Sequence, residues 1–154
     1  MKKSLLIALL LVVTLFFQNN CRLLAQTNNS QYASKAVEEI SIIPAHINDN
    51  CKLTNTFYVD ISALKQFEKK FGVKLLSLKN DVFTDDENKT QINYIETTGS
   101  GDTKKLYKKL VKQVGNSNVV ASKGNVVVEI ISPSIEMKKK ILSTLKPDEV
   151  HTNY

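Results

Sequence analysis

The stretch VVASKGNVVVEIISPSIEMKKKILSTL, residues 119–145, decides how this chain folds. Two β-branched runs, Val119–Ala121 and Asn125–Ile131, flank a Ser-Lys-Gly turn and predict a short strand and a long strand. The second run is almost wholly apolar, which is typical of a strand in the middle of a sheet. A helix follows, and we expect it to begin after the cap residue Ser132 and to end before Pro147.

The residues before this stretch alternate between strand-like and helix-like segments. Aromatic and β-branched runs predict strands, whereas apolar residues at helical spacing predict helices, particularly between a cap residue and a glycine. The predicted strands are Thr56–Ile61, Val73–Leu78 and Gln91–Thr97, and the predicted helices are Ser34–Ile40, Ala63–Phe71 (capped by Ser62 and ended by Gly72) and Asp102–Val114.

This order of elements predicts one α+β domain over residues 35–154. Strand, helix, strand, strand, helix, strand is the order of a split βαβ sandwich, so the expected fold is ferredoxin-like. We expect an antiparallel-rich sheet with its helices on one face, and an extra C-terminal helix. Because such architectures serve many functions, the expected fold predicts no activity.

The first 25 residues have the three parts of a secretory signal peptide. Lys2 and Lys3 precede the apolar run Leu5–Phe17, and a polar stretch then leads to the small residue Ala25. We therefore predict cleavage after Ala25, a secreted or periplasmic protein, and a flexible lead-in at residues 26–34. Membrane attachment is expected only if the signal stays uncleaved or if Cys21 carries a lipid.

Charge and cysteine content leave the partner open. The chain has 21 basic and 15 acidic residues, and the predicted signal holds three of the basic ones, so the remainder has 18 against 15, or +3. An excess of this size favours no particular partner. Cys51 would be the single cysteine left after cleavage, as a buried small residue, a free thiol or one half of an intermolecular disulfide.

No pattern in the sequence predicts a metal, cofactor or phosphate site. His46, His151 and Cys51 do not stand at metal-ligand spacing. The acid-rich turn Asp81–Asn88 lacks the central glycine and the closing glutamate of a calcium loop. The segment that begins at Gly99 lacks the glycine and lysine order of phosphate-binding loops.

The sequence also lacks a catalytic constellation. The chain has only two histidines for a nucleophilic triad, and no Gly-x-Ser-x-Gly elbow occurs. Asp60 and Glu129, near strand ends, remain as carboxylates that a small extracytoplasmic hydrolase would use. We predict a non-enzymatic protein.

Candidate binding surfaces are clearer. The helix Asp102–Val114 is apolar on one side, and its other side carries five lysines: Lys104, Lys105, Lys108, Lys109 and Lys112. These suit a polyanion or a membrane surface, whereas nucleic acid is not expected because interleaved aromatic residues are missing. The function we expect first is binding to a protein partner through the sheet or through an edge strand such as Val73–Leu78.

Overall fold

The structure, a computed structural model, describes residues 34–44, 47, 50–85, 88–114 and 118–152. Over these ranges the chain forms four helices and six strands. In chain order they are α1 (Lys35–Ile40), β1 (Lys52–Tyr58), α2 (Ile61–Phe71), β2 (Leu75–Asp85), β3 (Asn88–Thr97), α3 (Ser100–Gln113), β4 (Asn118–Lys123), β5 (Val126–Ile131), α4 (Ile135–Leu145) and β6 (Glu149–His151).

Several sequence predictions concern residues outside the described ranges. The predicted signal peptide at 1–25, nearly all of the lead-in at 26–34, Cys21 and His46 are among them. These remain predictions.

All six strands form one sheet in the order β1-β2-β3-β5-β4-β6, and every neighbouring pair is antiparallel. β2 and β3 form the longest hairpin, paired from Leu75 opposite Thr97 to Asp85 opposite Asn88. β5 lies between β3 and β4, the interior position that its apolar sequence predicts.

The sheet buries side chains on both of its faces. Because side chains alternate along a strand, Tyr94, Val128 and Ala121, which lie opposite one another, share the surface that we call face A. Face A holds an apolar cluster that includes Val37 of α1 and Ile141 of α4. The cluster also contains Ile42, Ile47, Cys51, Phe83, Ile92, Val119, Val126, Ile130, Met137 and Leu145.

Helices α2 and α3 cover the opposite surface, face B, which carries Ile95 and Val127. α2 contacts β2, and α3 contacts β3, β4 and β5. The buried apolar side chains of these two helices, Leu64, Phe71, Leu106 and Leu110, lie outside the face A cluster. The sheet is therefore the middle layer between two pairs of helices.

The α+β class is confirmed, but the arrangement differs from the predicted ferredoxin-like one. β1 and β2 are direct neighbours although a helix joins them, and the helices lie on both faces rather than one. The connections β3-α3-β4 and β5-α4-β6 each skip one strand and advance the same way across the sheet. Since β3 and β5 run in opposite directions, right-handed crossovers place the two helices on opposite faces.

Two further details differ from prediction at the edges of the sheet. Residues of the expected edge segment Val73–Leu78 belong to β2, which lies between β1 and β3, so the long edge strand is β1. The last helix is not the final element, because three residues after it form β6 against β4. A strand this short has no periodic signal in the sequence.

The helix starts also shift by two residues from the predicted caps. Asp60, not Ser62, caps α2 by accepting a hydrogen bond from the backbone N–H of Ala63. Ser134, not Ser132, caps α4, because the Ser132 hydroxyl is buried and bonds to Thr90 instead. The predicted end of α2 at Gly72 is confirmed, with Gly72 in the left-handed region at φ 59°.

We predict opposite stability effects for alanine at two glycines. Gly72→Ala should destabilise the fold by about 1 kcal/mol, because a side chain in the left-handed region clashes with its own backbone. Gly101→Ala should stabilise it by about 0.5 kcal/mol, because Gly101 is helical and a Cβ there meets no atom within 4 Å. Urea unfolding of both variants measures the two changes in the free energy of unfolding. Changes of the same sign and size would contradict the left-handed backbone of Gly72 and the helical backbone of Gly101.

Candidate functional site

The two helices on face B carry a net positive charge as large as that of the whole chain. Over Ile61–Phe71 and Ser100–Gln113 there are eight lysines and only two carboxylates. We call these lysines the lysine surface: Lys65, Lys69, Lys70, Lys104, Lys105, Lys108, Lys109 and Lys112. The two helices thus contribute a charge of +6, which equals the net charge of the whole chain, so all other residues together contribute none.

The five lysines predicted as a binding face lie on α3 as expected. Leu106 and Leu110 point to the sheet and are buried. Lys104, Lys108 and Lys112 follow one another at four-residue spacing and are exposed. Within the described part of the chain, none of these three ammonium groups forms an ion pair.

The other two lysines of α3 contact the end of α2. Lys105 Nζ donates a hydrogen bond to the carbonyl oxygen of Gly72 at 2.6 Å, and Lys109 Nζ donates to that of Phe71 at 2.7 Å. The last carbonyls of a helix have no partner within the helix and carry partial negative charge. The two ammonium groups therefore tie α3 to α2, a role that helical spacing alone does not reveal.

The two carboxylates of these helices are already engaged in the fold. Glu68 Oε1 accepts from the backbone N–H of Leu75 at 2.9 Å, and its Oε2 lies 3.7 Å from Lys74 Nζ. Asp102 Oδ2 accepts from the backbone N–H of Lys74 at 3.2 Å and from the hydroxyl of Thr98 at 3.0 Å. They organise the loop between α2 and β2 and do not pair with any lysine of the lysine surface among the described residues.

A cavity of about 330 Å³ lies where α2 ends and α3 begins. Its lining combines three lysines, the two engaged carboxylates and two residues of the connecting loop. These residues are Lys65, Glu68, Lys69, Gly72, Val73, Lys74 and Asp102. The cavity is thus part of the positively charged side of the molecule.

Face B also carries a row of polar side chains, one from each of its four central strands. Asn80 Nδ2 donates to Asn93 Oδ1 at 2.5 Å, and Asn93 Nδ2 donates to Glu129 Oε2 at 2.9 Å. Asn118 Nδ2 donates to the other oxygen of Glu129 at 3.2 Å. Of these four residues, only Glu129 was a predicted candidate; the signal for the other three is a polar residue within each otherwise strand-forming run.

The pKa of Glu129 is raised above its ordinary value. Burial, which disfavours the charged carboxylate, is the main cause. The hydrogen bonds from Asn93 and Asn118 and the positive charge of Lys70 act in the opposite direction without cancelling it. Glu129 therefore keeps its proton to a higher pH than an exposed glutamate does.

A second polar cluster lies on face A beneath α1. Lys79 Nζ is 3.3 Å from Asp81 Oδ2, 3.5 Å from Glu38 Oε2 and 2.9 Å from the Ser41 hydroxyl oxygen. The hydroxyl of Tyr58 donates to Glu38 at 2.6 Å. Burial raises the pKa of Asp81, and the smaller opposite effects of Thr56 and Lys79 do not cancel this increase. This cluster attaches α1 to the sheet. Asp81 therefore occupies a buried position within β2 and does not belong to the predicted acid-rich turn.

The remaining candidate residues lie apart from the lysine surface or serve the fold. Asp60 caps α2, and the hydrogen bond from the Ala63 backbone is the main cause that lowers its pKa. Neither Asp60 nor Glu129 lines the cavity. Cys51 is 4% exposed within the face A cluster, and burial raises the pKa of its thiol. His151 lies on the edge strand β6.

Comparisons with other proteins return no match: no family model, no curated protein and no solved structure resembles this chain significantly. In the described ranges, no helix has both the length and the apolar content needed to cross a bilayer. Those same ranges hold no group of three or more histidine, cysteine or acidic residues arranged around a metal ion.

We predict that Glu129→Gln changes how stability depends on pH. In the parent protein, a raised folded-state pKa means that stability is greatest below the unfolded-state pKa and declines as pH rises through the folded-state value. The variant cannot lose that proton. Its stability relative to the parent should therefore grow between pH 4 and pH 7, which urea midpoints at several pH values will measure. A constant difference would show that Glu129 titrates normally.

Proposed function

We propose that this protein is a non-enzymatic binding protein whose lysine surface holds an extended anionic polysaccharide. The observation that carries the proposal is the presence of eight lysines against two carboxylates on α2 and α3, with both carboxylates engaged in the fold. Clustered charge of one sign attracts an oppositely charged polymer and raises the rate of its binding. The predicted export would bring the protein to such polymers.

The arrangement of the lysines favours a linear ligand. Lys104, Lys108 and Lys112 recur every four residues, so each step along α3 rises about 6 Å. A row of this kind suits the regularly repeated charges of a polymer. Nucleic acid is disfavoured because, in the described ranges, the aromatic side chains of α2 and α3 offer no open platform for base stacking: Phe67 and Phe71 stack on each other, Phe71 is buried, and Tyr107 is half-buried.

We expect the triple substitution of Lys104, Lys108 and Lys112 by glutamine to weaken heparin binding about tenfold, because each exposed ion pair contributes about 0.5 kcal/mol. The control replaces Lys52, Lys89 and Lys146 by glutamine, which removes the same charge from exposed positions outside the two helices. Retention on a heparin column and titration at fixed salt measure the effect. If both variants lose heparin affinity equally, binding depends only on the net charge of the protein, and the proposal of a defined binding surface is wrong.

Vesicles of anionic lipid serve as the competing ligand. If the parent binds them more tightly than heparin, and the same three lysines are required, the surface recognises membranes and the polysaccharide proposal is wrong. High salt should weaken every such interaction, since exposed charges are screened over about 10 Å at 0.1 M.

A second candidate function is binding of a protein segment along β1. β1 is the longer of the two outer strands that the sheet has among the described residues, and Leu53 within it is 42% exposed. The backbone N–H of Val59 donates to the carbonyl oxygen of Leu78, just after β1 ends. Because backbone N–H groups alternate in direction along an edge strand, the N–H of Phe57 also points to β2, whereas the N–H of Thr56 points away from the sheet. An extended peptide can pair with such an edge. The predicted protein partner therefore fits β1 and not Val73–Leu78.

We expect Thr56→Pro to abolish capture of a strand-pairing partner, because proline has no N–H to donate. Thr56→Val is the matched control, since it removes only the hydroxyl that bonds to Asp81. Pull-down with each variant, after a thermal-unfolding check, separates the two effects. A partner retained by the proline variant would exclude pairing at Thr56.

A further inference from the structure

We infer that the cavity between α2 and α3 binds one tetrahedral oxyanion, carried by the ligand as a sulfate or phosphate ester. The inference rests on the proposed polysaccharide binding and makes it more specific. Lys104, Lys108 and Lys112 would hold the polysaccharide along its length, and the cavity would fix the position of one charged substituent of that polysaccharide.

Five ammonium groups lie in or beside this cavity. Lys65, Lys69 and Lys74 line it. A Cβ at Gly72 would lie 3.6 Å from Lys105 Nζ and 3.8 Å from Lys109 Nζ, which places both groups next to the cavity. Only Glu68 and Asp102 contribute negative charge to the lining, so positive charge predominates there.

The fold holds two of these ammonium groups in place without neutralising them. Lys105 and Lys109 donate to the carbonyl oxygens of Gly72 and Phe71, which are neutral acceptors. An ammonium group has three donors, so each lysine keeps donors for a ligand after making this bond. Ordering of the two side chains thus occurs during folding and does not have to be repeated when the ligand binds.

The two carboxylates in the lining already have bonding partners, one of which is Lys74 of the lining itself. Glu68 bonds to the backbone of Leu75 and pairs with Lys74, while Asp102 bonds to the backbone of Lys74 and to Thr98. Lys65 and Lys69 have no ion-pair partner among the residues that the structure describes. These two lysines are therefore the groups most available to an incoming anion.

The shape of the cavity agrees with a small charged group. Its lining includes Val73, which is buried, and Gly72, whose lack of a side chain leaves the space next to Lys105 and Lys109 open. A volume of about 330 Å³ is at the lower end of the range for small-ligand pockets. It accommodates an ester group together with part of the sugar that carries it.

The test is an NMR titration of the purified chain with inorganic sulfate and, separately, with inorganic phosphate. We expect saturable shifts at the backbone amides of Gly72, Val73 and Lys74. The double variant Lys65→Gln, Lys69→Gln should weaken binding about fivefold, since it removes two exposed ion pairs. The double variant Lys52→Gln, Lys146→Gln, which removes equal charge elsewhere, should change it less than about twofold. The remaining amide spectrum of each variant shows whether it is folded.

The outcomes separate this inference from the proposed function. Heparin binding that depends on Lys104, Lys108 and Lys112, without anion shifts near Gly72, would overturn the cavity site and leave the function standing. Anion shifts near Gly72 in a protein that does not bind heparin would support the cavity site and overturn the function. Shifts spread equally over all lysines, or equal losses in both double variants, would mean nonspecific attraction and would also overturn the site. The anion that binds more tightly, sulfate or phosphate, indicates which ester the ligand carries.

Discussion

The position of β5 between β3 and β4 is the constraint on which the rest of the structure depends. Its backbone is paired on both sides, and all but one of its apolar residues are buried, on the two faces that the helices cover. Each connection around it must skip a strand, and the reversed strand directions place α3 and α4 on opposite faces. α3 consequently shares face B with α2. Two lysine-rich helices from distant parts of the sequence thereby become one charged surface.

Polar groups within the sheet contribute differently on the two faces. On face A, Lys79 and Asp81 are 6% and 1% exposed and pair with each other, so each ion offsets much of the other's desolvation. On face B, Asn80 and Asn93 are bonded in series, and the single carboxyl of the polar row, that of Glu129, accepts from Asn93 on one side and from Asn118 on the other. Hydrogen-bonded side-chain amides cost less free energy to bury than charged groups, because neutral groups lose less hydration.

The sequence predicted the class of the fold and most of its elements, because these depend on local periodicity. The amphipathic pattern placed α3 within two residues of its start, and the apolar run of β5 indicated an interior strand. Strand order depends on contacts between distant segments, which local patterns do not encode. The long hairpin of β2 and β3 was underestimated because polar residues such as Asp81 and Thr90 occupy strand positions where partners from other parts of the chain satisfy them.

For the candidate site, the sequence predicted the lysines of α3 but not what they contact. Lys105 and Lys109 look equivalent to Lys104 and Lys108 on a helical projection, and only the packing of α2 distinguishes them. The contribution of α2 to the same surface depends on both helices lying on face B. That information becomes available only once the crossovers are known.

The pairing of Lys79 with Asp81 also constrains how this sequence can change during evolution. Loss of the lysine alone would leave a buried carboxylate without its counter-charge, and loss of the acid alone would leave the ammonium group between Tyr58 and Tyr94 with Glu38 as its remaining counter-charge. Removing both charges together avoids either penalty. Among natural relatives, positions 79 and 81 should accordingly be exchanged as a pair, and Glu38, at the surface end of the cluster, should vary more freely.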